Sequence, residues 1–417
     1  MSRLLFEKFQ WKGTDHVYSL PWLRNRLEYS ADPGRVKAYI RGGQFTRSQL
    51  TRDMLSRFHL SHNSIVVSDD EHAQFLRAIF LKCLPSDERY PIIARQLIDE
   101  VFKPGTDASI HLSSKLIPNV YLSLLSNLLG VNVLKPLRDH IRKTDFQPGT
   151  RPMHLDGVMY AVGMQLPGFR PMRQLIDLIF FKGDHYTRKI TKQLEKLVFE
   201  YSIPKEESWY AHLLELRQSG RISRLQFRGE LTSILVSSYA LSAAMSSMLL
   251  CLASRPEYVA KIRNDDTMAE CFVNEVLRLF PPFRQFGYEE KGVWKKRERS
   301  KEEVTDFMVS VFGLHRNVDV WEDADHFCPE RFYSQGSKQG CKFAPYGLGK
   351  RSCTGRVYSN RMLAEVLKYV CSKACALHLS LPSDYLKDYV GLPLGVNGRL
   401  VSFPQDDRVC AQRGVAL

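Results

Sequence analysis

The segment that most limits what this chain can fold into lies near its C-terminal end: Phe343, Ala344, Pro345, Tyr346, Gly347, Leu348, Gly349, Lys350, Arg351, Ser352, Cys353, Thr354, Gly355. Two glycines precede the cysteine and one follows it, so the backbone can turn tightly and approach something flat and bulky. Basic residues at 350, 351 and 356, and a helical pattern from about Val357, favour thiolate over thiol at Cys353. A thiolate whose sulfur accepts backbone N–H bonds is a good ligand for iron. On this segment alone, a glycine-rich turn around a buried cysteine remains the competing interpretation.

The surroundings read as helical. From Asp69 to about Phe102 the pattern is helical, with Pro85 and Pro91 as breaks. Helical spacing dominates 110 to 250. The longest candidate helix runs from about Gly229 to Ser254, with Leu231, Ile234, Leu235, Ala244, Met245, Met248, Leu249 and Leu252 in register, and Pro256 ends it. Another runs from about Met268 to Phe280 and stops at Pro281 and Pro282. Residues 304 to 312 read as a strand. The stretch from His315 to Cys353 shows little regular pattern, and so long an irregular segment in a compact domain is usually functional. A helix over about 357 to 376 follows. The expectation is one mainly α domain spanning 1–417, with small β-sheets.

Composition narrows the function classes. Hydrophobic residues at 44% and charged residues at 25% suit a globular chain able to enclose a large cofactor. The nine cysteines include no Cys-x-x-Cys pair, so a zinc framework is not expected. Net charge is +14 with a pI near 9.3, yet no nucleic-acid motif accompanies it, so no nucleic-acid partner is expected. Charges at Glu7, Lys8 and Lys12 interrupt any signal-peptide core. No stretch of about 18 to 20 uncharged, apolar residues, the length a membrane helix needs, is expected. A cytoplasmic protein with no transmembrane anchor follows as the expectation.

Four segments together carry a family resemblance. The cysteine segment is similar to the ligand loop of cytochromes P450, Phe-Gly-x-Gly-x-Arg-x-Cys-x-Gly, with Tyr346 where phenylalanine is usual. Glu275-Val276-Leu277-Arg278 resembles the family's Glu-x-x-Arg, and the i, i+3 spacing puts both charges on one helical face. Pro329-Glu330-Arg331-Phe332 resembles its Pro-Glu-Arg-Phe element, approached through His315 to Trp321. The resemblance implies the P450 fold, a triangular α-rich prism enclosing haem b (iron protoporphyrin IX). It implies Cys353 as the iron ligand, with Arg351, Tyr346, Gly347 and Gly355 around the cofactor. Glu275, Arg278 and Arg331 then form a charge-assisted network that holds the cysteine loop. It further implies His72 and Arg77 as haem contacts, although the arginine stands one position later than in the family's His-x-x-x-Arg.

One departure bears on chemistry. Where the family's long helix carries an acid–alcohol pair that relays protons to iron-bound oxygen, alignment by the helix exit places Tyr239 and Ala240. Three outcomes stay open. Ser237, Ser238, Ser242 or a substrate hydroxyl takes over the relay; or the enzyme has left hydroxylation for coupling, cyclisation, peroxide-dependent or rearrangement chemistry; or the haem site no longer catalyses. Tyr239, Ala240 and Ser238 are the candidate distal residues, with Ser237, Ala243, Phe283 and Phe286 lining the pocket. The implied activity is oxidation of a small organic substrate, free or carrier-bound, in natural-product biosynthesis. The chain shows no flavin or iron–sulfur segment, so an acidic ferredoxin or flavodoxin is the implied electron donor unless peroxide is used. Lys342, Lys350, Arg356 and Arg361 would present it a positive face. The charge run from Lys291 to Lys301 reads as a solvated loop.

Overall fold

The structure, a computed structural model, describes residues 16–20, 25–41, 45–47, 65, 71–102, 110–143, 192–193, 195–283, 285–290, 304–333, 340–373, 376–380 and 397–401. In chain order its first half holds β1 (His16–Leu20), β2 (Asn25–Ser30), α1 (Pro33–Arg41), β3 (Phe45–Arg47), α2 (Glu71–Lys82), α3 (Arg89–Val101), β4 (Ile110–His111), α4 (Leu112–Leu124), β5 (Val131–Val133) and α5 (Lys135–Lys143). Then come β6 (Ser202–Pro204), α6 (Trp209–Gln218), α7 (Arg224–Ala253), α8 (Glu257–Asn264), α9 (Asp266–Leu279), β7 (Gln285–Glu290), β8 (Val304–Ser310), α10 (Arg356–Lys373), β9 (Ala376–Ser380) and β10 (Asn397–Val401). The strands make one five-stranded sheet in the order β1-β2-β8-β7-β3, a three-stranded sheet β4-β10-β9 and the pair β5-β6. Among the described strands, only β2 and β8 pair in parallel. The architecture is mainly α with small sheets.

Element α7 is the axis of the core. Ser223 opens it with a capping box: its hydroxyl accepts the Gln226 N–H at 3.1 Å, and the Gln226 side chain accepts the Ser223 N–H at 3.0 Å. Such a cap is worth about 1 kcal/mol and starts the helix five residues before the point read from apolar spacing. It packs against α4, α9 and α10. By length and composition α7 is also apolar enough to cross a membrane, which corrects the expectation that no such run exists. In its most apolar window mean hydropathy is 1.7, yet 78% of that window is buried inside the protein, as a core helix requires.

Smaller differences have local causes. Pro91 does not break a helix; it is the third residue of α3, in the first turn, where a missing N–H is no loss. Residues 311 and 312 do not extend β8. The Ser310 hydroxyl accepts the Gly313 N–H at 3.1 Å and turns the chain into a short helical segment, Val311–Leu314. Helix α10 ends at Lys373, and Ala376 already belongs to β9. Residues 315–333 and 340–355 run as turns and short 3-10 segments, so these described parts of the irregular stretch hold a defined path without regular repeats. The loop over 291–301 lies outside the described residues.

Candidate functional site

The cysteine loop is closed by its own backbone. The Cys353 N–H donates to the Tyr346 carbonyl at 2.8 Å, and the Gly347 and Ser352 N–H groups donate to Ala344 and Gly349 at 3.1 Å each. Gly347 and Gly349 take positive φ, 75° and 62°. At Gly349 a Cβ would also stand 2.9 Å from Ile40 of α1, so conformation and close approach both require glycine there. Cys353 itself is exposed and sits just before α10. Its carbonyl accepts the Arg356 N–H at 3.3 Å, so the thiol stands at the positive end of that helix.

Tyr346 makes a second tie. Its phenol donates to Asn360 Oδ1 at 2.7 Å, which fastens the loop to the first turns of α10. Burial first, and the nearby Cys353 charge second, push this phenol's pKa up, so it stays a protonated donor. A phenylalanine at this position would lack that bond.

Behind the loop the structure brings Glu275, Arg278 and Arg331 together. Glu275 and Arg278 are completely buried on α9 and share two hydrogen bonds, 2.7 and 2.8 Å. Arg278 spends its other donors on the carbonyls of His315, Ala324 and His326 at 2.7, 2.5 and 3.0 Å. Glu275 Oε1 also accepts the Cys328 N–H at 2.7 Å and Arg331 Nε at 3.3 Å. Buried charges persist only when partners surround them in this way.

His315, not singled out from sequence as a site residue, completes the tie to the cysteine loop. It is fully buried, with Nδ1 3.0 Å from the Arg278 carbonyl and Nε2 accepting the Ala344 N–H at 2.8 Å. The two partners require the Nδ1-protonated neutral tautomer. Burial, with the Arg278 and Arg316 charges, lowers its pKa to about 3, so neutrality is assured at physiological pH. The signal in the sequence was a histidine following an apolar strand run, which by itself does not distinguish a buried linker from a solvated side chain.

The distal candidates sit on α7. Residues 229–235 and 241–252 are all buried, whereas Val236, Tyr239 and Ala240 are half-buried and Ser237 is exposed. At 100° per residue, Val236, Ser237 and Ala240 share one face with Tyr239 at its edge. A core helix thus opens for one turn, at the positions aligned with the family's acid–alcohol pair. Ser238 is on the opposite, buried side and its hydroxyl donates to the Leu235 carbonyl at 2.6 Å, so it is placed away from this opening. Ala243 is 1% exposed and does not line it. Ser242 is buried too, with no partner for its hydroxyl. The Ser237 hydroxyl donates to the Ser233 carbonyl at 2.8 Å, leaving its oxygen as an acceptor. Phe283 and Phe286 lie with ring centroids 6.2 Å apart, the first exposed and the second half-buried.

Helix α2 supplies the remaining pair. His72 Nε2 is buried without a hydrogen-bond partner, an arrangement that costs stability unless a further group pairs with it. Arg77 donates to the carbonyls of Lys350 at 2.7 Å and Ile65 at 3.3 Å, and so reaches the cysteine loop itself. Among the described residues no group of three or more His, Cys, Asp or Glu could hold a metal ion. A single accessible thiol on a glycine-turned loop, an opened turn in the central helix and an orphaned imidazole nitrogen fit a macrocycle that brings its own iron ligands and carries acidic groups. Of Arg351 only the backbone is described.

Comparison with known proteins agrees with this geometry. Residues 184–369 match the family model described as Cytochrome P450. Over 164 residues the chain is 26% identical to taurochenodeoxycholic 6 alpha-hydroxylase of Sus scrofa, covering 34% of this chain and 32% of that protein. Over 203 residues it is 26% identical to cytochrome P450 4X1 of Mus musculus, covering 42% and 40% respectively. Over 137 residues it is 27% identical to steroid 17-alpha-hydroxylase/17,20 lyase of Homo sapiens, covering 31% and 26%. The chain therefore spans about a quarter to two-fifths of the length of these relatives. The matched stretch contains α7, the buried Glu275–Arg278 pair, the Arg331 element and the cysteine loop, and across these residues the chain is similar to the cytochromes P450.

Proposed function

We propose that the chain is a haem-thiolate oxidoreductase of the monooxygenase class, one domain over 1–417, that oxidises a small organic substrate. The observation that carries this reading is the accessible Cys353 thiol on a backbone-closed glycine loop. Two of the relatives are named as hydroxylases, and that supports the reaction class. Haem b bound here would supply the oxidising iron, and thiolate ligation favours O–O cleavage.

The chain's own residues do the rest. Cys353 serves as the iron ligand, held by the Tyr346 carbonyl and the helix start behind it. Gly347 and Gly355 leave the cofactor face clear; even a Cβ at Gly355 would stand 3.8 Å from the sulfur. His72 Nε2 and Arg351 would receive the cofactor's carboxylates. Ser237, Tyr239 and Ala240 form the distal wall, with Phe283 and Phe286 toward the substrate. The exposed Lys350, Arg356 and Arg361 are the docking surface for an acidic ferredoxin or flavodoxin, although Arg361 already pairs with Asp87. Lys342 takes less part in that surface, since it rests over the Trp321 ring with Nζ 4.8 Å from the centroid. A role in natural-product biosynthesis and a cytoplasmic location complete the proposal.

The test is the carbon monoxide spectrum of the reduced, haem-loaded protein. A thiolate-type Soret band in the native chain and its loss in Cys353→Ala is the expected result; a band retained in the variant rejects Cys353 as ligand.

A second reading is favoured by one observation: the open turn of α7 carries no acid, its Ser237 hydroxyl is bonded to Ser233 and Ser238 faces inward. Protons then come from the substrate, or the enzyme performs coupling, cyclisation or rearrangement. Ala240→Thr separates the two. Higher yield of product per oxygen consumed marks an impaired hydroxylase, and unchanged or lower yield marks the specialised chemistry.

A further inference from the structure

Glu230 is a carboxylate 1% exposed on α7, a position where burial requires partners. Its Oε1 accepts the N–H of Ile65 at 2.8 Å. The other end of the same residue, the Ile65 carbonyl, accepts from Arg77 Nη2 at 3.3 Å. Arg77 Nη1 donates at 2.7 Å to the carbonyl of Lys350, three positions before Cys353. Ile65 is itself 6% exposed. One residue is thus gripped at both of its backbone groups, from α7 on one side and α2 on the other, and the same guanidinium continues to the cysteine loop. Arg77 is also the charged group closest in influence to the Glu230 carboxylate.

We propose that Glu230 is a positioning residue for the cysteine loop: by holding Ile65 it aligns the Arg77 guanidinium on the Lys350 carbonyl and so ties the distal helix to the loop that carries Cys353. The tie links the two sides of the site without either residue touching substrate. Its geometry depends on reach. Glutamine keeps an acceptor at the same distance, whereas aspartate keeps the charge but falls one methylene short of the Ile65 N–H. Lysine in place of Arg77 offers a single donor point and cannot span two carbonyls in the guanidinium's fork geometry. The effect on the thiolate rests on Cys353 being the haem ligand; the mechanical tie does not.

The experiment compares Glu230→Gln, Glu230→Asp and Arg77→Lys with the native chain by two readouts on the haem-loaded protein. The first is amide hydrogen exchange across residues 346–356. The second is the lifetime of the thiolate-type carbon monoxide band before it converts to the thiol-type band. We expect Glu230→Gln to stay within about twofold of native in both. Glu230→Asp and Arg77→Lys should each speed loop exchange and band conversion by about tenfold, in line with loss of a hydrogen bond to a charged group. The double variant should be no worse than the worse single one, because both break one chain of contacts. Native-like exchange in Glu230→Asp, or equal loosening in Asp and Gln variants, overturns the proposal. If the native chain shows no thiolate band while loop exchange still responds to Glu230→Asp, the haem reading fails and the tie stands.

Discussion

At the scale of single residues, the site is held by side chains whose alternatives have calculable consequences. Tyr346 departs from the family's phenylalanine and gains the bond to Asn360. Tyr346→Phe should cost about 1 kcal/mol in urea unfolding, and a double-mutant cycle with Asn360→Ala should show a coupling of similar size. Gly349→Ala should cost more, about 1–2 kcal/mol for the left-handed backbone alone, with the Ile40 contact added. The tight turn before Cys353 was legible, because glycines at 347 and 349 set it locally through their positive φ. Glu230 was not, since a lone acid at the start of an apolar run looks like the solvated first turn of a helix.

At the scale of elements, the Glu275–Arg278 pair on α9 shows why a motif and its role are separate questions. The i, i+3 spacing was visible in the sequence, but it is equally common on solvated helices. Complete burial and the carbonyls of His315, Ala324 and His326 make it a junction between α9 and the irregular 315–333 segment. Arg278→Met should therefore destabilise by about 3–5 kcal/mol, because it strands Glu275 as an unpaired buried charge. Removing both charges together should cost much less than the single change, measured by denaturant midpoint. The distal turn of α7 teaches the complementary point. Apolar spacing located the helix, while the choice of Val236, Ser237 and Ala240 as its open face, with Ser238 turned away, followed from packing against α4, α9 and α10.

For the whole molecule, two buried titratable groups set opposing pH dependences of stability. His315 binds a proton more weakly when folded, about 3 against an ordinary 6.5, so its stabilising contribution is complete above pH 6.5 and is lost as pH falls toward 3. Glu230 is the reverse. Burial first, opposed by the Ile65 N–H and the Arg77 charge, raises its pKa to about 7 from an ordinary 4.5, so ionising it costs stability as pH rises from 4.5 to 7. Thermal midpoints should show His315→Gln flattening the acid side of the profile, by a few kcal/mol at most. Glu230→Gln should gain on the native chain as pH rises through that window. Equal slopes in both variants would count against these placements. The cysteine loop, the proline-ended helices and the order of the charged motifs were readable from the chain alone, because glycine, proline and thiol chemistry act over a few residues. The inward turn of Ser238, the burial of α7 despite its membrane-like composition and the Glu230–Ile65–Arg77 tie were decided only by tertiary structure, because burial and long-range partners depend on residues far apart in sequence.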